Sequence, residues 1–290
     1  MSRFRVTARR RASERVQALI GGDGWPGRLF GTPREVEVTE HAVLPVGWPS
    51  DVPPLRIAFA SDFHAGPTTH PDLWAAACDA LDRAKPDIVL LGGDFVVVEA
   101  LHVDALAERL GEIAAPLGCY AVLGNHDYYA DATYIAECLE AVGIRMLTNQ
   151  GMSLPAPHAH VWICGLDDWG HGEPDVAAAL DGAEGIRVVL MHNPSSLLDL
   201  GEERFDLALC GHVHGGQIAL PGGRAIIVPH GPLSRRYSRG RFQVNGGTMI
   251  VSRGIGASTL PFRAFSTPEV MVCHLGDLEG RNPEYQSQIA

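Results

Sequence analysis

Six apolar runs of four to six residues, at 55–60, 87–91, 120–123, 161–164, 187–191 and 206–210, limit this chain's architecture more than any other feature. Each is too short for a helix and apolar at consecutive positions, the pattern of a strand covered on both faces. Helical periodicity occupies residues 72–84, 103–114 and 133–142. Strands feeding helices in this rhythm predict an α/β fold. The segment REVEVTEHAVLP (34–45) alternates like an edge strand. Past residue 217 the helical patterns stop, and RAIIVPHG, GTMIVSRGIG and EVMVCHL read as short strands separated by Gly and Pro. The simplest organisation is one domain with two sheets over 33–280, after an Arg-rich extension at 1–32 and before a loose tail at 281–290.

Composition narrows the class. A 290-residue chain that is 46% hydrophobic and 20% charged can bury a large core. Its net charge of −11 argues against a broad nucleic-acid surface, which needs clustered cations, but leaves room for a local anion site. The six cysteines form no C-x-x-C pair and read as reduced, buried hydrophobes. No apolar run reaches the roughly 18 residues of a membrane span, and the N-terminus has no secretory h-region, so a cytoplasmic location is expected. In the extension, Ala12, Val16, Leu19 and Ile20 share one side of a helical pattern amid six arginines. Such a helix fits an anionic membrane surface, making peripheral membrane contact a candidate. Docking on the domain or a sister subunit has more support, because the apolar face is short and lacks an aromatic anchor.

The chemistry gathers where the strands end. Asp62 and His64 follow the first run, Asp94 the second, and Asn125, His126 and Asp127 the third. His192 follows RVVLM, and His212 and His214 follow DLALC inside GHVHGGQ. The carboxyl ends of strands are where open α/β sheets place ligands, so these clusters are expected to converge. Carboxylate, amide and imidazole without thiolate suit Mn, Fe or Zn, and seven ligands exceed what one tetrahedral site needs. Two divalent ions sharing a bridging carboxylate account for them better. In an extended GHVH segment His212 and His214 would point to one side, with Gly211, Gly215 and Gly216 allowing tight turns and room for a substrate.

The ordered series D-x-H, G-D, G-N-H-D, an isolated His after an apolar strand, and G-H-x-H resembles the calcineurin-like metallophosphoesterases over residues 33–278. GHVHGGQ and SRGIGASTLPFRAF further resemble a bacterial membrane-associated branch that includes hydrolases of lipid-linked nucleotides. The resemblance implies a four-layer αββα sandwich with two mixed sheets. It implies that Asp62, His64 and His214 hold one metal and Asn125, His192 and His212 the other, with Asp94 as the bridge. His126 would contact the phosphoryl group or protonate the leaving oxygen, with Asp127 as its partner. The implied reaction is hydrolysis of a phosphodiester or pyrophosphate, lipid-linked or nucleotide, by in-line attack of a metal-bridging hydroxide. A nucleotide phosphodiesterase acting in solution is the alternative within the class. A non-catalytic metal-binding scaffold is the alternative outside it.

Other residues have plainer readings. Asp167, Asp168 and His171 fit a turn or cap better than support for the site. His41, His70, His102, His158, His160, His230 and His274 have no supporting pattern. Arg235, Arg236, Arg239 and Arg241 fit a solvated basic loop, or a contact to a second phosphate or anionic headgroup. Arg253 and Arg263 bracket a Gly-rich stretch that is either a loop beside the metals or a hairpin connection.

Overall fold

The computed structural model describes residues 34–277; the extension at 1–32 and the tail at 281–290 fall outside the described residues. The first sheet takes the order β1-β12-β2-β3-β4-β5 and the second β10-β11-β9-β8-β7-β6. Strands β1 (Glu37–Val43), β2 (Leu55–Ala60), β3 (Ile88–Leu91), β4 (Cys119–Ala121) and β5 (Ile144–Met146) belong to the first sheet with β12 (Glu269–Leu275). The second holds β6 (Gln150–Ser153), β7 (Val161–Gly165), β8 (Ile186–Leu190), β9 (Leu207–Cys210), β10 (Gly240–Val244) and β11 (Gly247–Val251). Both sheets are mixed. β2 through β5 run parallel beside an antiparallel β12, and β7, β8, β9 and β11 run parallel between antiparallel β6 and β10.

Alternation along each strand builds three separate cores. On β2, Leu55, Ile57 and Phe59 face the second sheet, and Ala58 and Ala60 face helices. On β9, Leu207 and Leu209 meet them from the other side, while Ala208 and Cys210 turn outward. Small residues on the outer faces let the helices approach closely, and the large ones fill the space between sheets. Helices α1 (Pro71–Arg83), α2 (Val103–Gly111) and α4 (Ala132–Ala141) cover the first sheet through Leu81, Leu106, Leu110, Ile135 and Leu139. The second sheet has a thinner cover of two short helices, α5 (Val176–Ala179) and α6 (Leu197–Leu200), and loops. The αββα arrangement is the expected one.

Differences from the sequence reading have local causes. Asp87 and Asp206 stand just outside β3 and β9, their carboxylates accepting from Arg56 N–H at 2.7 Å and Arg187 N–H at 2.8 Å. Each lends the neighbouring strand a partner its sheet cannot supply. Helix α2 stops at Gly111, short of residue 114, and a Cβ on Gly111 would meet Val142 at 2.7 Å. Short strands β5 and β6 and helix α3 (Asn125–Ala130) were not anticipated, being too brief to show a period. RAIIVPHG is no strand: it makes only an isolated bridge, Ala219 to Ala225, and its Ile226 and Ile227 are exposed. The arginine-rich stretch yields instead the edge strand β10, where Arg241 donates to the Ala42 carbonyl at 2.7 Å. All six cysteines are free thiols, but Cys119 and Cys138 are only partly buried.

Ile163 sits on β7 in the core between the sheets and is almost wholly buried. Ile163→Ala is expected to cost about 2–5 kcal/mol of folding stability, read as a lower urea midpoint at unchanged slope.

Candidate metal centre

The seven ligand candidates meet at the carboxyl ends of β2, β3, β8 and β9 and at the start of α3, over the seam between the sheets. Five of them, Asp62, His64, Asp94, His212 and His214, have left-handed backbone, with φ between 46° and 68°. Non-glycine residues hold that conformation at about 1–3 kcal/mol each, only where their surroundings fix it. Here hydrogen bonds do so: Asp62 N–H to the Gly93 carbonyl at 2.8 Å, and His64 N–H to the Asp94 carbonyl at 3.0 Å. The GHVH segment is therefore not extended. Its two imidazoles are aimed by αL backbone at His212 and His214 rather than by strand alternation. Gly211 is required for another reason, since a Cβ there would collide with the Asp62 carboxylate and the Ser61 hydroxyl. Gly215 (φ 61°) turns the chain away after the second histidine.

Carbonyl acceptors fix the tautomers. His192 Nδ1 lies 2.7 Å from the Gly92 carbonyl and His212 Nε2 lies 3.0 Å from the His230 carbonyl, so in the neutral rings these nitrogens carry the protons. The lone pairs of His192 Nε2 and His212 Nδ1 then face each other across 3.2 Å. Asn125 Oδ1, at 3.2 Å, and Asp94 Oδ2, at 3.3 Å, also approach His192 Nε2. Beside them, His64 Nε2 lies 3.0 Å from His214 Nε2 and 3.6 Å from Asp94 Oδ2, and His214 Nε2 is 3.4 Å from Asp62 Oδ1. Asp62, His64 and His214 form one group able to hold an ion, and Asp94, His192 and His212 another. With His192 and His212 neutral, the acceptors around them converge without a donor and repel one another unless a positive charge sits among them, and the carboxylate–imidazole sets of both groups fit divalent cations.

The electrostatics agree. Burial pushes His64 down to about 3 and His212 to about 4, and holds His214 well below the usual imidazole range. All three are thereby neutral, the form in which an imidazole can ligate a metal. Burial pushes Asp62 up to about 6. It also opposes charge on Asp94, but His192 and His126 hold that carboxyl well below the usual range. His192 is buried too, yet Asp94 drives it well above 6.5. A bound cation satisfies the same demand for positive charge and displaces that proton.

His126 and Asp127 lie on α3. His126 N–H donates to Asp94 Oδ1 at 2.8 Å, and its Nδ1 is 2.7 Å from the Val97 carbonyl, which turns the ring edge-on to His64. Asp127, expected as a partner of His126, binds backbone. Its carboxylate accepts from the N–H groups of Asp94 (2.8 Å), Phe95 (2.8 Å), Val96 (3.3 Å) and Gly124 (2.9 Å). It locks the loop after β3 to the loop after β4. Burial and the nearby Asp94 push it up to about 8, while its backbone donors pull the other way.

Asp167, Asp168 and His171 take the turn reading: Asp168 Oδ2 accepts from Gly170 N–H at 3.0 Å and His171 N–H at 2.9 Å. Two contributors had no readable signal. The His230 carbonyl sets the His212 tautomer, and a backbone carbonyl leaves no mark in sequence. Ser61 donates to Asp62 Oδ2 at 2.6 Å. The Gly-rich stretch between Arg253 and Arg263 is the loop beside the centre, with Gly256 N–H donating to the Asp62 carbonyl at 2.7 Å. Arg263 turns inward as its clamp. The guanidinium donates to the carbonyls of Gly254 (3.2 Å), Ile255 (3.1 Å), Gly256 (2.7 Å), Ser266 (2.8 Å) and His214 (3.0 Å), and to that of Arg253. Ser266 Oγ joins it on the His214 carbonyl at 2.5 Å. Arg253 faces outward to Glu269 and, at 2.8 Å, Glu37.

An αββα sandwich with paired carboxylate–imidazole clusters at its strand ends defines a metal-dependent hydrolase. Residues 55–216 match the calcineurin-like phosphoesterase family. The metallophosphoesterase YkuE of Bacillus subtilis is 30% identical over 263 residues, covering 88% of this chain and 91% of its own. The phosphodiesterase YaeI of Escherichia coli is 30% identical over 276 residues, covering 93% and 100%. A zebrafish transmembrane protein with a metallophosphoesterase domain is 32% identical over 239 residues, covering 77% of this chain and 53% of its own. The chain belongs to the calcineurin-like phosphoesterases, a family of phosphoester hydrolases.

Replacing the clamp by a side chain of similar length without its donors, Arg263→Met, is expected to weaken Mn binding about 10- to 100-fold at the Asp62–His64–His214 cluster. Calorimetric titration of metal-stripped protein checks this, with near-UV circular dichroism to verify folding. Unchanged affinity and stoichiometry would refute the clamp.

Proposed function

We propose that this protein hydrolyses a phosphodiester or pyrophosphate at a centre of two divalent ions drawn from Mn, Fe or Zn. The observation that carries this reading is the place of Asp94, whose Oδ2 approaches His64 in one cluster at 3.6 Å and His192 in the other at 3.3 Å. Asp62, His64 and His214 would hold one ion, Asn125, His192 and His212 the other, and Asp94 both. Bound there, the ions supply Lewis acidity, lowering the pKa of water from about 15.7 toward 7 and neutralising phosphoryl charge.

The remaining work belongs to side chains. With Nδ1 tied to the Val97 carbonyl, His126 lines the cleft, where its ring can serve to hand a proton to the leaving oxygen. Asp127 acts on position alone: by holding the Asp94, Phe95 and Val96 amides it fixes the carboxylate between the clusters. A cleft of about 260 Å³ opens over Asp94, Asn125 and His126, walled on one side by Ile218, Ile227, Val228 and Leu260. That apolar wall favours a substrate carrying a lipid or nucleobase over a small monoester.

His126→Ala is expected to keep its metal content while losing roughly 10²- to 10⁴-fold in turnover of bis-p-nitrophenyl phosphate. Elemental analysis beside the rate assay checks both halves, and an emptied centre would remove His126 from its assigned role. Asp94→Asn is expected to weaken both ions together, seen as loss of both Mn equivalents in a calorimetric titration. Selective loss of one equivalent would exclude it as the bridge.

A further inference from the structure

The segment that leaves the metal centre does not return to a sheet. From Gln217 to Ile227 the chain forms a strap, closed on itself by Leu220 N–H to the Arg224 carbonyl (2.9 Å) and Ile226 N–H to the Ile218 carbonyl (3.0 Å). It is pinned to the 258–265 loop by Ala219 N–H to the Ala264 carbonyl (2.8 Å) and Ala264 N–H to the Gln217 carbonyl (2.9 Å). The Gln217 side chain adds bonds to the carbonyls of Leu260 (2.7 Å) and Phe262 (3.1 Å) and to Ser258 N–H (3.2 Å). The strap is thus a built element one residue past the GHVHGG turn.

Its surface is unusual. Leu220 (46% exposed), Ile226 (48%), Ile227 (61%) and, on the pinned loop, Phe265 (62%) all present large apolar side chains to solvent. Ile227 also lines the cleft, so the apolar surface runs from the metal-bearing floor to the outside. Phe265 adopts a left-handed backbone (φ 52°), and its carbonyl is held by Arg239 at 3.3 Å. The same arginine reaches the Gly222 carbonyl at 3.2 Å, fastening strap and loop together. Apolar groups held out in water by this many hydrogen bonds imply a face that meets something apolar.

Charge says what that is. From Leu207 to Pro268 there is no Asp or Glu but there are seven arginines, in a chain whose net charge is −11. Arg241, Arg253 and Arg263 are engaged as described above. Arg224, on the strap, and Arg235 and Arg236, on the loop that follows His230, are exposed and make no salt bridge among the described residues. Exposed apolar tips on a strap that carries Arg224, with Arg235 and Arg236 likewise free of salt bridges among the described residues and Arg236 lying over the Tyr237 ring, match an anionic lipid surface, where tips enter the acyl boundary and cations meet headgroups. A protein partner would need a complementary acidic, shaped surface, whereas a bilayer needs only this chemistry.

We propose that the strap and Phe265 form an interfacial docking face that seats the cleft mouth on an anionic lipid surface, so that an amphiphilic phosphoester reaches the metal centre from the bilayer. The proposal rests on the phosphoesterase reading for its substrate but not for its binding step, which needs no turnover. It is also independent of the Arg-rich residues 1–32.

Vesicle co-sedimentation of the full chain tests it, with phosphatidylglycerol-containing vesicles against pure phosphatidylcholine. The wild type is expected to sediment with the anionic vesicles only. The variant L220S/I226S/F265S, which leaves the cleft lining intact, is expected to lose roughly tenfold or more of that partition. It should keep wild-type hydrolysis of bis-p-nitrophenyl phosphate in solution. Equal sedimentation of variant and wild type would overturn the proposal and point to the N-terminal arginines. So would a wild type that ignores anionic vesicles. A wild type that binds vesicles through the strap yet hydrolyses no phosphodiester would sink the catalytic reading and leave the docking face standing. Arg224→Gln should weaken binding to the anionic vesicles at low salt and make its salt dependence shallower; a variant binding as tightly as wild type at low salt would remove the charge argument.

Discussion

His212 N–H reaches across the seam between the two sheets to the Asp62 carboxylate, at 3.0 and 3.1 Å to its two oxygens. His192 crosses the same seam to the Gly92 carbonyl. Each bond joins the end of a strand in one sheet to the loop of a strand in the other. The metal centre therefore exists only if the sheets are held in register, and the apolar layer between them does this. Phe59 and Leu209 in that layer are fully buried one or two residues before the chain turns toward the ligands. Packing sets the distance between the sheets, and the polar bonds convert it into ligand geometry.

A centre built from mutual acceptors is costly without its ions. Three imidazoles are held neutral by burial, and carboxylates press on one another. The fold supports this with backbone groups: four amides on Asp127, six carbonyls around Arg263, one carbonyl each for His126, His192 and His212. Asp127 accepts where Arg263 donates, and the two are alike in action. Each satisfies a set of backbone groups that no sheet can pair, and each thereby freezes a loop that carries ligands.

The cleft joins this polar floor to an apolar wall, and the wall continues onto the exposed strap. The proposed substrate wall and the proposed docking face thus share one strip of chain, from GHVHGGQ through Ile227. RAIIVPHG is β-like in composition because it is apolar and branched. It finds no strand neighbour, since glycines at 222 and 223 and a proline at 229 bound it closely.

The sequence by itself determined the alternation of strands and helices and which residues could ligate, because period and residue chemistry are local properties; the four layers were legible only through the family resemblance. It marked Asp62, His64, Asp94, Asn125, His192, His212 and His214, since metal-binding types at strand ends are visible one at a time. Only the tertiary structure decided how they are aimed and what holds them. The left-handed turns at His212 and His214, the His230 carbonyl, the amide cage of Asp127 and the inward turn of Arg263 all depend on backbone groups far apart in the chain. Every residue carries the same amide, so no sequence pattern announces which ones a fold will bring together.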